Sequence, residues 1–185
     1  MVLLKSIEKL KKGEDAPSFY LQGIDNKFYS LEDFKGSKGL VIIFMCNHCP
    51  YVKAKISKIV QLSQNYLPKA ISFVGINPNN HPDYPEDSFE NMKKFAKEHN
   101  IKFPYLFDST QEVAKAYGAV CTPDPFVFDS NFKLFYHGRI DDVHYPNTQK
   151  PKSEDMIEVL DSLLAGRTYT KKAQPSMGCS IKWRE

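Results

Sequence analysis

The stretch GLVIIFMCNHCPYVKAKISKIV, residues 39 to 60, constrains this chain most. An apolar run, Leu40 to Met45, ends on two cysteines and passes directly into a helical pattern. A β-branched run with no polar face suits a central strand covered on both sides. From Pro50 onward Val52, Ile56, Ile59 and Val60 recur at helical spacing with lysines between them. Pro50 fits a helix start, where its missing N–H removes no intrahelical bond. The chain therefore needs a buried strand that feeds a helix, with Cys46-x-x-Cys49 at the junction.

The remaining segments extend that plan. SFYLQ and KFYSL flank the turn signal Gly23-Ile24-Asp25-Asn26 and read as a hairpin. Ala70 to Ile76 is a second buried-type strand. The loop NPNNHPDYPED follows it and ends in Asp87-Ser88, a cap for a helix whose face carries Phe89, Met92, Phe95 and Ala96. PYLFD is a short strand. STQEVAKAYG is a helix with Ser109 as N-cap and Gly118 as its stop. PFVFD and KLFYHG are strands joined by Asp129-Ser130-Asn131, and Ser153 to Leu164 is a last helix with Met156, Val159, Leu160 and Leu163 inward. The tail GRTYTKKAQPSMGCSIKWRE has no clear period. Strands alternating with helices, closed by an antiparallel pair, predict an α/β fold with a central mixed sheet flanked by helices.

Composition narrows the class. Over 185 residues, 42% are hydrophobic and 25% charged, an ordinary globular balance. The net charge of +3 comes from 25 basic and 22 acidic side chains, interspersed rather than striped, which argues against a nucleic-acid partner. No run is long enough for a membrane span or a secretory core, so a cytoplasmic location without a membrane partner is expected. Four cysteines, Cys46, Cys49, Cys121 and Cys179, are too few to staple a chain of this length. In a reducing compartment, close-spaced cysteines point to metal or redox chemistry.

A strand-to-helix junction favours a reactive thiol. The first helical turn has unpaired N–H groups and the positive end of the helix dipole, and both favour a thiolate. His48 can add a charge or a hydrogen bond. The two-residue spacer lets the sulfurs close a small disulfide ring, and the functional reading is a dithiol–disulfide couple. Zinc would want four ligands, a second CxxC or paired histidines. Cys121 and Cys179 stand alone, and His81, His99, His137 and His144 read as surface or hydrogen-bonded residues. No metal and no cofactor are expected. Phe34, Phe44, Phe73, Phe126 and Phe128 occupy strand-like places and read as core.

GEDAPSFYLQGIDNKFYSLEDFKGSKGLVIIFM, followed by CNHC and a helix, resembles the redoxin (AhpC/TSA-type) branch of the thioredoxin-like proteins. AVCTPDPFVFD and FYHGRIDD extend the likeness from about Gly13 to Leu164. CNHCPYV and SMGCSIKW resemble a peroxiredoxin-like subgroup bearing a CxxC. The resemblance implies a thioredoxin-like fold over residues 13–166, an N-terminal segment 1–12, and a C-terminal tail 167–185 carrying Cys179. It implies thiol–disulfide oxidoreductase activity, with Cys46 attacking and Cys49 resolving, and with Pro123 as the cis-proline after Thr122. Implied partners are disulfide-bearing proteins or small thiols, and a reductant such as thioredoxin or glutathione.

The sequence also departs from that pattern. Leu40 stands where thioredoxins keep a buried acid and Met45 where they keep tryptophan, so the base must come from elsewhere, His48 or water. Aligned as a peroxidase with Cys49 peroxidatic, Cys46 replaces the usual threonine and Ile42 the proline, while Arg139 is the candidate activating arginine or a structural residue. Cys121 is expected to be buried and passive, facing away from the CxxC. Cys179 is either a resolving thiol or a free one on a tail strapped across the domain. A non-catalytic, zinc-holding module is a third reading. The loop from Asn77 to Glu86 either borders the site or is an exposed connection.

Overall fold

The computed structural model describes residues 3–143 and 150–184; His144 lies outside them. In chain order the strands are β1 (Leu3–Lys5), β2 (Tyr20–Gly23), β3 (Phe28–Ser30), β4 (Gly39–Phe44), β5 (Ile71–Asn77), β6 (Tyr105–Phe107), β7 (Cys121–Thr122), β8 (Asp124–Asp129), β9 (Leu134–His137) and β10 (Met177–Ser180). The helices are α1 (Pro50–Tyr66), α2 (Phe89–Glu98), α3 (Glu112–Tyr117) and α4 (Asp155–Leu164).

Seven strands form one mixed sheet in the order β3-β2-β6-β5-β4-β8-β9. β4 runs parallel to β5 and antiparallel to β8, so its backbone groups are paired on both sides. Every residue of β4 is buried, as its unbroken apolar run requires. Alternation then sorts its side chains. Val41 and Ile43 pack with Val52, Ile56 and Ile59 of α1 and Met156 and Val159 of α4. Leu40, Ile42 and Phe44 join Ala114 and Tyr117 of α3, with Phe126 and Phe128 of β8, on the other face. Leu40 is thus an apolar core residue of the α3 layer, and burying such a side chain contributes roughly 1.5–3 kcal/mol. All five phenylalanines read as core are buried.

Two caps differ from expectation. The helix after PYLFD begins at Glu112 with Gln111 in a left-handed conformation at its N-cap, not with Ser109. Asp108 does that work instead, accepting the Ala114 N–H at 2.8 Å. Ser88 occupies the N-cap of α2 without a side-chain bond to it, and the carboxylate of the neighbouring Asp87 turns inward.

The tail holds the main addition. Its residues Met177–Ser180 form β10, which pairs antiparallel with β1 on one side and β7 on the other in a separate three-stranded sheet. The two ends of the described chain are therefore tied together beside the site. Among the described residues, no helix is long and apolar enough to cross a membrane.

Candidate active site

β4 ends at Phe44 and Cys46 follows two residues on, and Cys49 becomes the N-cap of α1 with Pro50 in the first turn. The helix-start effect therefore falls on Cys49. The Cys49 sulfur is paired with the Cys179 sulfur and interacts with Cys46, and the Val52 and Cys179 backbone N–H groups face it. Together these hold the Cys49 thiol far below the ordinary thiol range, against the opposing effect of burial. Cys46 moves the other way. Burial pushes it up, and its hydrogen bond to Cys49 and the charge of Asp87 add to the rise. The two cysteines are thus shifted in opposite directions, Cys49 towards the thiolate and Cys46 towards the thiol.

Thr122 serves both sulfurs. Its Oγ1 lies 3.3 Å from Cys46 Sγ, and its carbonyl oxygen lies 3.2 Å from Cys49 Sγ, where it accepts the thiol proton whenever Cys49 holds one. The Thr122–Pro123 bond is cis, as the resemblance implied.

The loop between β5 and α2 closes the other side of the site. Asp87, fully buried, accepts the backbone N–H of Asn47 at 2.7 Å and of His48 at 3.1 Å. Its second oxygen lies 2.5 Å from His48 Nδ1 and accepts Asn79 Nδ2 at 2.7 Å. Asn47 donates to the Glu86 carbonyl and accepts from the Tyr105 hydroxyl, which fixes the residues between the cysteines. His48 Nδ1 is 3.9 Å from Cys46 Sγ, while Nε2 is buried and unbonded among the described residues. Tyr84 stacks on the His48 ring at 5.1 Å, and Lys182 of the tail lies over Tyr84. Both CxxC sulfurs are consequently buried. The Pro- and Asn-rich loop borders the site.

The other expected residues are placed as follows. Cys179 Sγ is 2.7 Å from Cys49 Sγ. Cys121 is buried in the strand before the cis-proline, where burial and the nearby Asp124 charge push its thiol up and the Ser176 hydroxyl opposes them. Arg139 Nε donates to Asp155 Oδ2 of α4 at 2.9 Å. Among the described residues, one set of three ligating atoms lies close enough for a metal ion, from Cys46, His48 and Asp87. It leaves Cys49 out, so no tetrahedral site containing both CxxC sulfurs is gathered.

Sequence reasoning missed Asp87 as a site residue, along with Asn47 and Tyr84. Asp87 read as a helix cap because its partners are 39 and 40 residues away. The available signal was the two unpaired N–H groups of the CxxC turn, which must find acceptors once buried.

Comparison with known proteins agrees with this architecture. A crystal structure of an uncharacterized conserved protein from Geobacillus kaustophilus superposes with a TM-score of 0.94 at 47% identity, covering 100% of this chain and 97% of that one. A thioredoxin family thiol:disulfide interchange protein from Chlorobium tepidum TLS gives a TM-score of 0.64 at 22% identity over 83% of this chain and 98% of its own, a likeness of fold. The thioredoxin-like fold expected from the sequence is the fold found. Thiol-disulfide oxidoreductase ResA of Bacillus thuringiensis subsp. konkukian is 27% identical over 127 residues, 69% of each chain. The AhpC/TSA family profile matches residues 12–137, and the chain belongs to the AhpC/TSA family.

Proposed function

We propose that this chain is a thiol–disulfide oxidoreductase acting through Cys46 and Cys49 on disulfide-bearing proteins or small disulfides. The observation that carries the reading is the cysteine pair at the start of α1, set against the Thr122–Pro123 edge with Thr122 3.3 Å from Cys46 Sγ and 3.2 Å from Cys49 Sγ. The name of the ResA relative supports the same class of reaction. The working unit is residues 13–166, with 1–12 and 167–185 as additions.

Cys46 gives up its proton to solvent and attacks one sulfur of the substrate disulfide. The other substrate sulfur leaves as a thiolate and takes a proton from solvent. The Cys49 thiolate then attacks Cys46 Sγ, and the Cys46–Cys49 disulfide forms. The second substrate thiolate leaves and takes a proton from solvent. The apolar Leu40 offers no base, and Cys49, shifted towards the thiolate, is ready for the second attack. His48 and Asp87 hold the turn between the two sulfurs. A reductant of the thioredoxin or glutathione type returns the disulfide to the dithiol, and a reducing cytoplasm suits that cycle.

The test is a trap. Cys49→Ser, mixed with insulin as a disulfide-bearing probe, accumulates a mixed disulfide on Cys46 that dithiothreitol releases. Adducts that fail to form, or that form equally on Cys46→Ser, contradict the proposal.

One observation favours a second reading. The downward shift falls on Cys49, the residue that aligns with a peroxidatic cysteine. Against it, Arg139 is engaged with Asp155. Hydrogen peroxide consumption orders of magnitude faster than a free thiol's, lost in Cys49→Ser and retained in Cys46→Ser, selects the peroxidase.

A further inference from the structure

The tail reaches the site from the far end of the sequence and is built to stay there. β10 pairs with β7 in the register Cys179 to Thr122 and Ser180 to Cys121, so the strand edge leading to Pro123 is occupied by the chain's own backbone. The approach is unusually close. A Cβ on Gly178 would stand 1.8 Å from the Thr122 carbonyl oxygen and 2.5 Å from its carbon, contacts no side chain tolerates. Ser176 adds a second anchor, donating from its hydroxyl to the buried Asp124 at 2.6 Å.

This packing places Cys179 Sγ 2.7 Å from Cys49 Sγ. A disulfide measures about 2.05 Å, so covalent closure needs a sulfur displacement well under about 1 Å. The first turn of α1 divides its donors between these two sulfurs, with Val52 N–H facing Cys49 and Tyr51 N–H facing Cys179. In the reduced protein the adjoining Cys49 sulfur and burial push the Cys179 thiol up, and the positive charge of Lys182, three residues beyond, opposes them; once Cys49 is held in a disulfide the first of those causes is gone. Cys121 sits in the same sheet and gets no comparable placement against a second sulfur.

We propose that Cys179 is a third redox cysteine, which takes over Cys49 from the Cys46–Cys49 disulfide. The Cys179 thiolate attacks Cys49 Sγ; the bond between Cys46 and Cys49 breaks as the bond between Cys49 and Cys179 forms. Cys46 leaves as a thiolate and takes the proton that Cys179 gave up. One disulfide enters and one leaves, so no oxidant or reductant is consumed. The oxidised protein then has two forms, and in the second Cys46 is again a thiol. A regenerating dithiol and a substrate disulfide thereby meet different cysteines. The inference rests on the Cys46–Cys49 exchange proposed above.

The experiment maps the disulfides of the full chain after oxidation by one equivalent of diamide, acid quench and N-ethylmaleimide. Trypsin without reduction leaves Cys46 and Cys49 on one peptide and Cys179 on another. The expected result is a cross-linked pair of peptides, with the label on Cys46, in at least a tenth of the oxidised wild type. The same cross-link dominates in Cys46→Ser and vanishes in Cys179→Ser, which still forms the Cys46–Cys49 disulfide. In steady state with dithiothreitol, Cys179→Ser turns over several-fold more slowly than wild type. Wild type that holds only the Cys46–Cys49 disulfide, with no cross-link in folded Cys46→Ser, overturns this inference alone. Wild type that forms neither disulfide overturns the exchange reading with it.

Discussion

Asp87 grips His48 at both ends: Oδ2 lies 2.5 Å from the ring Nδ1, and Oδ1 accepts the backbone N–H at 3.1 Å. The same carboxylate takes the Asn47 N–H, so a fully buried acid holds the turn between the two cysteines. Its charge also disfavours ionisation of Cys46.

Asp87→Asn therefore has two separable effects. The amide keeps one acceptor oxygen but loses the other, and leaving buried donors short of a partner lowers stability by about 1–3 kcal/mol. Loss of the charge lets Cys46 ionise at lower pH than in wild type. Urea denaturation reads the first effect. The second is read by thiolate ultraviolet absorbance against pH in Cys49→Ser with and without Asp87→Asn. An unchanged Cys46 titration contradicts the electrostatic part.

Thr122 offers its hydroxyl to Cys46 at 3.3 Å, and that contact favours the Cys46 thiolate. Thr122→Val keeps the shape and removes the bond. With a net worth of about 1 kcal/mol for one hydrogen bond, adduct formation at Cys46 slows roughly fivefold. Single-turnover kinetics with a small aromatic disulfide measures it, and a change below twofold removes Thr122 from the chemistry.

Much of this arrangement is legible in the sequence, for identifiable reasons. β4 and α1 follow from local periodicity, and the cysteines sit at their junction whatever the rest of the chain does. Ser88 stands at the N-cap of α2 as its position suggests, while α3 starts two residues later than a Ser109 cap allows. An Asp near a helix start satisfies the local rule, but buried N–H groups elsewhere compete for its oxygens and, for Asp87, win. β10 escaped because its residues, Met177–Ser180, show no alternation and pair with two short segments far away in sequence. Cys179 could be placed beside Cys49 only once that pairing was known.

The low-titrating Cys49 gives reduced protein a pH-dependent stability. A folded-state pKa below the unfolded one means that the unfolded chain binds more protons between the two values, so stability rises with pH across that window. The window runs from the low folded value of Cys49 up to about 8.5, the ordinary thiol value. Above it, Cys46 stays protonated in the folded state while the unfolded thiol ionises, and stability turns down. Melting temperatures of reduced wild type minus those of Cys49→Ser are expected to climb from acid to neutral pH. A flat difference contradicts the assignment of charge to Cys49.

Stabilising a thiolate stabilises the reduced form, which makes the couple more oxidising. The dithiol–disulfide couple of the wild type is expected above the thioredoxin value of about −270 mV. Equilibration with dithiothreitol or glutathione buffers measures it, and a potential at or below that value contradicts the argument.

Tyr84 covers His48, and Cys46 behind it is fully buried. Tyr84→Ala is expected to speed alkylation of Cys46 by iodoacetamide in the native protein by about tenfold, a gating barrier on the order of 1.4 kcal/mol. An unchanged rate places the limiting cover elsewhere, in β10 or its contacts.

The central claim is that Cys46 and Cys49 together exchange disulfides, and insulin reduction in dithiothreitol tests it most directly. The account predicts that wild type accelerates precipitation of the insulin B chain while Cys46→Ser and Cys49→Ser do not, with Cys121→Ser retaining the wild-type rate. Catalysis that survives in Cys46→Ser, or is absent from wild type reduced and refolded under the same conditions, would contradict it.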